Sequence, residues 1–513
     1  MRGISLWWRS SALWLVIGLM TVIPFFFVDV PPLTDLPNHI ARYYVFLNID
    51  HSPFLSNYYN VRWELIGNLG VDIVVRAIGP FLGAELATRI AVGIIPPLTV
   101  AGIYSTSCAL NGKVAPSALV ALPLAYNWPL DSGFVNFSLS AAMALLVFAL
   151  WIRLRSYGFF ARLLIFAPLS FATWVAHTAG WGLLGLAVLG FELERAYQRG
   201  LNLRSLLDAA LATLPFALMV AFTIFWRSGT SGTGVVFASN MFSSKVISMA
   251  SIFREEYWPW DLCCLLLFLT LTVALFFAGG RRVVVAAIAV AVLYALAFLV
   301  FPEILFNSAF ADRRLLPYAG IFVPLSVGVA DRVLDNEKRI RILSILSMSA
   351  ILLFVARIAV TTGVWERSHL SFERHLRLLE QIPRHSRIFG LMVEACNKEW
   401  SRMGRLDHLQ QLALTRRESL VNGLFQESGL NQVEARIRKL EGFDPNLLAK
   451  VHDESCPVTY SRETLQSAIA HFPRDQFDFV WLIAPNALPA IDTSGLRLIG
   501  ADGNDRLYQI ESR

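Results

Sequence analysis

Runs with almost no charged residue, each near the roughly 20 residues a helix needs to cross a bilayer, recur throughout the first 365 residues. They are Ser10–Val28, Ile90–Gly112, Val114–Leu130, Ser132–Ile152, Leu163–Phe191, Ala209–Trp226, Leu262–Gly280, Val283–Pro302, Leu315–Ala330 and Ile342–Trp365. A water-soluble fold has no place for that much apolar surface. With 55% hydrophobic and only 16% charged residues, against about a quarter charged in soluble domains, the chain reads as a polytopic membrane protein. The formal charge of +6 then concerns topology, because basic residues gather in cytoplasmic loops; it gives no reason to expect a nucleic-acid partner.

The N-terminal run resembles a signal peptide, but Phe25-Phe26-Phe27-Val28-Asp29 offers no small-residue cleavage site, so the segment is expected to stay as the first span. Leu163–Phe191 would make about 43 Å of helix at 1.5 Å per residue, too long for one upright span. Charge decides the matter. If it is two spans with a turn at His177-Thr178-Ala179-Gly180, the later cytoplasmic loops collect Arg195, Arg199, Arg204, Arg281, Arg282, Arg332, Lys338, Arg339 and Arg341. If it is one, they hold only Arg227, Lys245, Arg254, Arg313 and Arg314. The first allocation follows the positive-inside bias.

The expected fold class is therefore mainly α: a helical membrane protein of about eleven spans, N-terminus inside, with a small extracytoplasmic α/β domain at the C-terminus. Residues 1–365 form the membrane domain, with an outer loop over 29–89, and residues 366–513 the outer domain. In that domain Arg387–Val393, Phe477–Ala484, Leu496–Gly500 and Arg506–Ile510 read as strands and Leu430–Glu441 as helix. Cys396 and Cys456 lie there and could pair in an oxidising compartment. The cytoplasmic loops are short and basic and carry no nucleotide-binding motif.

Polar chemistry first becomes available at Pro31-Pro32-Leu33-Thr34-Asp35-Leu36-Pro37-Asn38-His39-Ile40-Ala41-Arg42. With Pro37 in the first turn of a helix, Thr34 or Asp35 takes the N-cap. Asp35, His39 and Arg42 then share one helical face. The bland alternative is a cap at Asp35 and headgroup contacts for His39 and Arg42. Further on, Leu69, Ile73, Val74, Ala77 and Ile78 form an apolar stripe, with Glu64, Asn68, Asp72 and Arg76 read as the solvated face of an interfacial helix.

This arrangement resembles the GT-C superfamily of integral-membrane glycosyltransferases. The resemblance rests on Asp35 just after the first span, on the interfacial helix from about Asn68 to Leu82, and on the terminal domain from 366. It implies a polyprenyl-phosphate sugar as donor, membrane lipids as surroundings, and transfer on the periplasmic face of a bacterial-type inner membrane. Many relatives carry two adjacent acids in this loop, whereas Asp35 stands between Thr34 and Leu36. A divalent metal, as some relatives use, would need a second acid; Asp72, Asp131, Glu255 and Glu256 are the candidates.

Under that reading Asp35 is the general base for the acceptor hydroxyl. Arg313 and Arg314, helped by His39 and Arg42, hold the phosphate leaving group. Glu255 and Glu256 either serve an acceptor or metal site or belong to an aromatic and charged belt with Tyr257 and Trp258. Two other classes act on lipid-linked glycans. A transporter or flippase should show inverted repeats and polar midplane residues, and a polymerase or ligase concentrates function in one late outer loop.

Overall fold

A computed structural model describes residues 6–227, 234–305, 308–394, 403–426, 431–441, 443–452 and 463–511. By internal contacts the chain divides into two compact units: residues 1–26, 65–71 and 92–363, and residues 27–64, 72–91 and 364–513. Cys396 and Cys456 lie outside the described residues.

The first unit is helical and apolar. Among the described residues five helices are long and apolar enough to cross a membrane: Ala84–Asn111, Val135–Arg153, Phe159–Ala176, Trp258–Ala278 and Glu337–Gln381. Leu203–Ala212 and Leu214–Ile224 form a further pair bent by 62°. The region 163–191 lies in two helices, Phe159–Ala176 and Thr178–Gln198, broken at His177. Val114–Leu130 departs from expectation. It is a 3-10 helix, Pro116–Ala125, and a short helix, Trp128–Asp131. Pro116 and Pro123 lack the N–H an α-helix needs, and the whole stretch is buried inside the unit.

Apolar side chains alone give helices in lipid no reason to associate, so close packing and interhelical hydrogen bonds must do it. Ile95–Asn111 and Val135–Arg153 meet where a Cβ on Gly102 would lie 2.6 Å from Leu145 Cβ. Thr106 Oγ1 donates to the Leu145 carbonyl there at 3.1 Å. Thr178–Gln198 meets Val285–Val300 at Gly190 and Val290, and Tyr294 Oη donates to the Leu183 carbonyl at 2.7 Å. The segment 65–71 docks through Ile66 and Leu69 onto Trp174 and Val175. Asn136 fastens it by accepting from the Val71 N–H at 2.6 Å and donating to the Asn68 carbonyl at 2.8 Å.

The second unit is built on a six-stranded mixed sheet. Its centre is Arg387–Glu394, parallel to Phe479–Ile483 on one side and to Leu420–Val421 and Lys450–His452 on the other. Continuous burial of this strand fits a parallel strand covered on both faces. Phe479–Ile483 continues into the antiparallel hairpin Leu496–Asp502 and Asp505–Ile510. Of the expected helix Leu430–Glu441, the described residues 431–441 are not helical. Val433–Ala435 is a strand antiparallel to Tyr59–Val61. Val433, Ala435 and Ile437 are buried while Glu434 and Arg436 are exposed, a period of two rather than 3.6.

The second unit also contains an acid-sensitive contact. Glu418, in left-handed backbone at φ 52° after the helix Leu412–Arg417, accepts from Ser52 Oγ and, at 2.7 Å, from Arg384. Burial pulls this carboxyl upward, but the hydrogen bonds from Ser52 and Arg384 outweigh it and leave it below its usual range. A depressed acid stabilises the fold fully above its unfolded value, about 4.3, and loses that contribution as pH falls through the lower folded value. The melting temperature of the detergent-solubilised chain should therefore drop below about pH 4. Glu418→Gln should flatten that dependence; an unchanged profile would rule the contact out as its source.

Candidate functional site

Asp35 occupies the N-cap position of the helix Leu36–Asn48, but its carboxylate makes no capping hydrogen bond. Its backbone is already helical at φ −89° and ψ −8°, so the first turn closes without it: the Asp35 carbonyl accepts from the N–H groups of Asn38 and His39 at 3.1 and 3.2 Å. Asp35 Oδ1 lies 3.6 Å from His408 Nε2, an ion-pair distance, with only 18% of the Asp35 side chain exposed. His408 is held against the Phe425 ring at 4.9 Å, and Asn38, on the turn after Asp35, donates to the Gly423 carbonyl at 2.9 Å. Arg405 donates to the Pro32 carbonyl at 2.6 Å, tying the segment before the helix to the same region. His408 was not among the expected site residues. The one signal for it was the dense polar stretch Arg405-Leu406-Asp407-His408 in an otherwise motif-free domain.

His39 and Arg42 follow on the same helix, and both are buried. His39 stacks between Tyr43 and Phe425, at ring distances of 6.1 and 6.0 Å. Arg42 Nη2 donates to Asp72 Oδ1 at 3.0 Å and Nη1 to Asn431. Tyr43 Oη donates to Asp72 Oδ2 at 3.2 Å. Burial, and then the Asp72 carboxylate, push the Tyr43 hydroxyl well above its ordinary value, so it remains a donor. The solvated face expected at Glu64, Asn68, Asp72 and Arg76 is not formed. The helix begins only at Gly70, and Asp72 is buried and pairs with Arg42, not Arg76. Arg76 instead lies over the Trp63 ring at 4.5 Å.

In the first unit the two expected arginines differ. Arg313, half-buried, pairs with Glu303 at 3.2 Å and donates to Ser244 Oγ at 3.2 Å. Arg314 is buried, with its guanidinium 4.0 Å from the centre of the Phe134 ring and Nη2 donating to the Ala309 carbonyl at 2.9 Å. The loop carrying both is anchored by Asp312, which takes Lys245 Nζ at 2.6 Å, and it includes Phe310 at φ +54°. A non-glycine residue in that region stores strain, which persists only where packing enforces it.

Arg314 Nη1 lies 3.3 Å from His177 Nε2. His177 Nδ1 accepts from the Ala179 N–H at 3.0 Å, so in the neutral ring the proton sits on Nε2. In that tautomer Arg314 Nη1 and His177 Nε2 are neighbouring N–H groups 3.3 Å apart. The expected turn at His177 thus carries a side chain that reaches Arg314.

Glu255 is buried and lies 3.7 Å from Arg357, as does Asp261. Asp261 Oδ2 accepts the Glu255 N–H at 3.2 Å, and Arg357 donates to the Phe253 carbonyl at 2.9 Å. Glu255 thus belongs to a buried ionic cluster, not to an exposed belt; Glu256 beside it is only partly buried. Among the described residues no group of three or more His, Cys, Asp or Glu side chains is arranged to hold a metal ion.

No protein-family profile matches the chain, and no curated protein matches it by sequence. Solved structures do match in fold, among them two of one protein. ArnT from Cupriavidus metallidurans in the apo state is 11% identical, with 97% of each chain covered and a TM-score of 0.50. The same protein bound to undecaprenyl phosphate is 12% identical, with 97% of each chain covered and a TM-score of 0.52. The likeness covers 97% of each chain and shows a shared polytopic membrane fold.

Proposed function

We propose that the chain is a membrane glycosyltransferase. It transfers a sugar from a polyprenyl-phosphate donor to a cell-envelope lipid, polysaccharide or protein on the periplasmic face of a bacterial inner membrane. The observation that carries this is the fold shared over 97% of both chains with a protein solved bound to undecaprenyl phosphate. In the proposed step the acceptor hydroxyl oxygen attacks the anomeric carbon. Its proton passes to the Asp35 carboxylate while the bond from that carbon to the phosphate oxygen breaks. The polyprenyl phosphate leaves with its negative charge held by Arg313 and Arg314. His177 acts through Arg314 and as a second N–H donor. We read His39 and Arg42 as positioning residues of the helix that begins after Asp35, and Asp72 as the partner that holds Arg42.

The test is direct. The purified chain should bind undecaprenyl phosphate and, given a polyprenyl-phosphate sugar and envelope acceptor, release polyprenyl phosphate as glycan forms. Absence of binding to the lipid phosphate would overturn the proposal. Arg314→Lys keeps the charge but loses the planar fork and its contact with Phe134. It should weaken undecaprenyl phosphate binding about tenfold, one charge-assisted hydrogen bond's worth, with the protein still folded. Equal binding would remove Arg314 from the phosphate site.

A further inference from the structure

A second polar site lies in the first unit, at the opposite end of the helix Thr178–Gln198 from His177 and Arg314. That helix has 21 residues and so is about 30 Å long at 1.5 Å per residue, which is the thickness of a bilayer's hydrocarbon core. At its far end a cavity of about 270 Å³ opens between it and the helices Phe159–Ala176 and Leu203–Ala212. Arg162, Arg195 and Arg199 line it, against only two carboxylates, Glu192 and Asp208.

The arginines are built into place. The Arg162 guanidinium carbon lies 3.8 Å from the centre of the Trp151 ring. Glu192, itself buried, accepts from Trp151 Nε1 at 2.9 Å and pairs with Arg162 at 3.4 Å and Arg195 at 2.8 Å. Arg162 Nε is buried and has no hydrogen-bond partner among the described residues. Arg199 pairs with Asp208 at 3.4 Å, half-exposed at the mouth. Gly158, the N-cap of Phe159–Ala176, supplies no capping side chain, so that helix brings an uncapped positive end to the same place. The surface beside the mouth is apolar: Tyr157, Phe160, Leu203 and Leu211 are all more than half exposed. On a helix as long as the bilayer core is thick, a basic cavity at one end with an apolar flank matches the depth of lipid headgroups.

We infer that this cavity binds the headgroup of an anionic phospholipid, its phosphate taken by Arg195 and Arg199 at the mouth and Arg162 within, its acyl chains along Tyr157, Leu203 and Leu211. Basic pockets between membrane helices hold anionic headgroups in this way. The apolar flank favours a lipid over a soluble phosphate ester. The site does not depend on the proposed transfer reaction.

Native mass spectrometry of the full chain in detergent, titrated with phosphatidylglycerol and separately with phosphatidylcholine, tests the inference. Phosphatidylglycerol should be retained about tenfold more tightly. Arg195→Gln with Arg199→Gln should cut its retention about tenfold or more and leave phosphatidylcholine unaffected, and Arg199→Gln alone, at the half-exposed mouth, should cut it with an unchanged melting temperature. Asp208→Asn, which removes the competing carboxylate at the mouth, should raise phosphatidylglycerol retention. Equal retention of the two lipids, or wild-type retention by the double variant, would overturn the site. Displacement of the lipid by glycerol phosphate at equal concentration would overturn the lipid assignment in favour of a soluble phosphate ester.

Discussion

Replacing Asp35 by asparagine is expected to reduce glycan transfer by roughly 10²–10⁴-fold, the usual contribution of a positioned general base, while the protein remains inserted and folded. The structural basis for expecting no folding defect is specific. The Asp35 carboxylate makes no capping bond to the helix that follows, whose first turn closes on the Asp35 backbone carbonyl. The amide is isosteric and keeps the polar contact near His408 but cannot accept the acceptor's proton at neutral pH. Undecaprenyl phosphate binding should be unchanged, so the loss should fall on kcat and not on the affinity for the lipid phosphate. His408→Gln should lower the rate less, because His408 faces the carboxylate at 3.6 Å and acts only through it. An Asp35→Asn protein that transfers at the wild-type rate would remove Asp35 as the base. A protein that no longer folds would mark it as structural.

The sequence made some of this visible and could not make the rest visible. Membrane helices are legible because each is specified locally, by an apolar run and by the charges at its ends. The break was expected at His177 because it lies midway along an apolar run too long for one upright span, and the helices do part there. The strands at Arg387–Glu394 and Phe479–Ile483 were legible for the same reason, as short apolar segments. Two local readings failed on period and on proline. In Val433-Glu434-Ala435-Arg436-Ile437 the alternation of apolar and charged residues was the better guide, and Pro116 with Pro123 argued against an α-helical span.

Partnerships across distance were not legible at all. Asp35 and His408 are separated by more than 370 residues, and no spacing rule connects them. Arg42 read as a residue for a phosphate or a lipid headgroup, and Asp72 as a charge on the solvated face of an interfacial helix. Whether a charge is solvated or buried against its counter-ion depends on what packs over it, and one chain's pattern of residues does not carry that information. Glu255 illustrates the same point: adjacent to Tyr257 and Trp258 it read as part of an interfacial belt, yet its counter-ion is Arg357, about a hundred residues on.

The Arg42–Asp72 pair yields the other large expected effect. Both side chains are almost wholly inaccessible, at 1% and 2% exposure, and 3.0 Å apart. Removing the acid leaves a buried guanidinium without its counter-ion and the Tyr43 hydroxyl without the Asp72 acceptor. Losing one member of such a pair costs about 3–5 kcal/mol, a large share of the total stability of most domains. Asp72→Ala should therefore lower the melting temperature sharply and reduce the amount of folded protein recovered, with any loss of transfer following from that. The double replacement Arg42→Met with Asp72→Leu removes both charges and fills the space. It should recover much of the loss, because apolar side chains of similar volume often replace a buried ion pair at little cost. The coupling across the two sites should exceed about 1 kcal/mol in a double-mutant cycle, read from thermal or denaturant unfolding of the solubilised chain. Single variants that melt like wild type would show that the pair does not hold the helix Leu36–Asn48 in place. A stable Asp72→Ala protein with no transfer activity would instead move Asp72 from support into the chemistry.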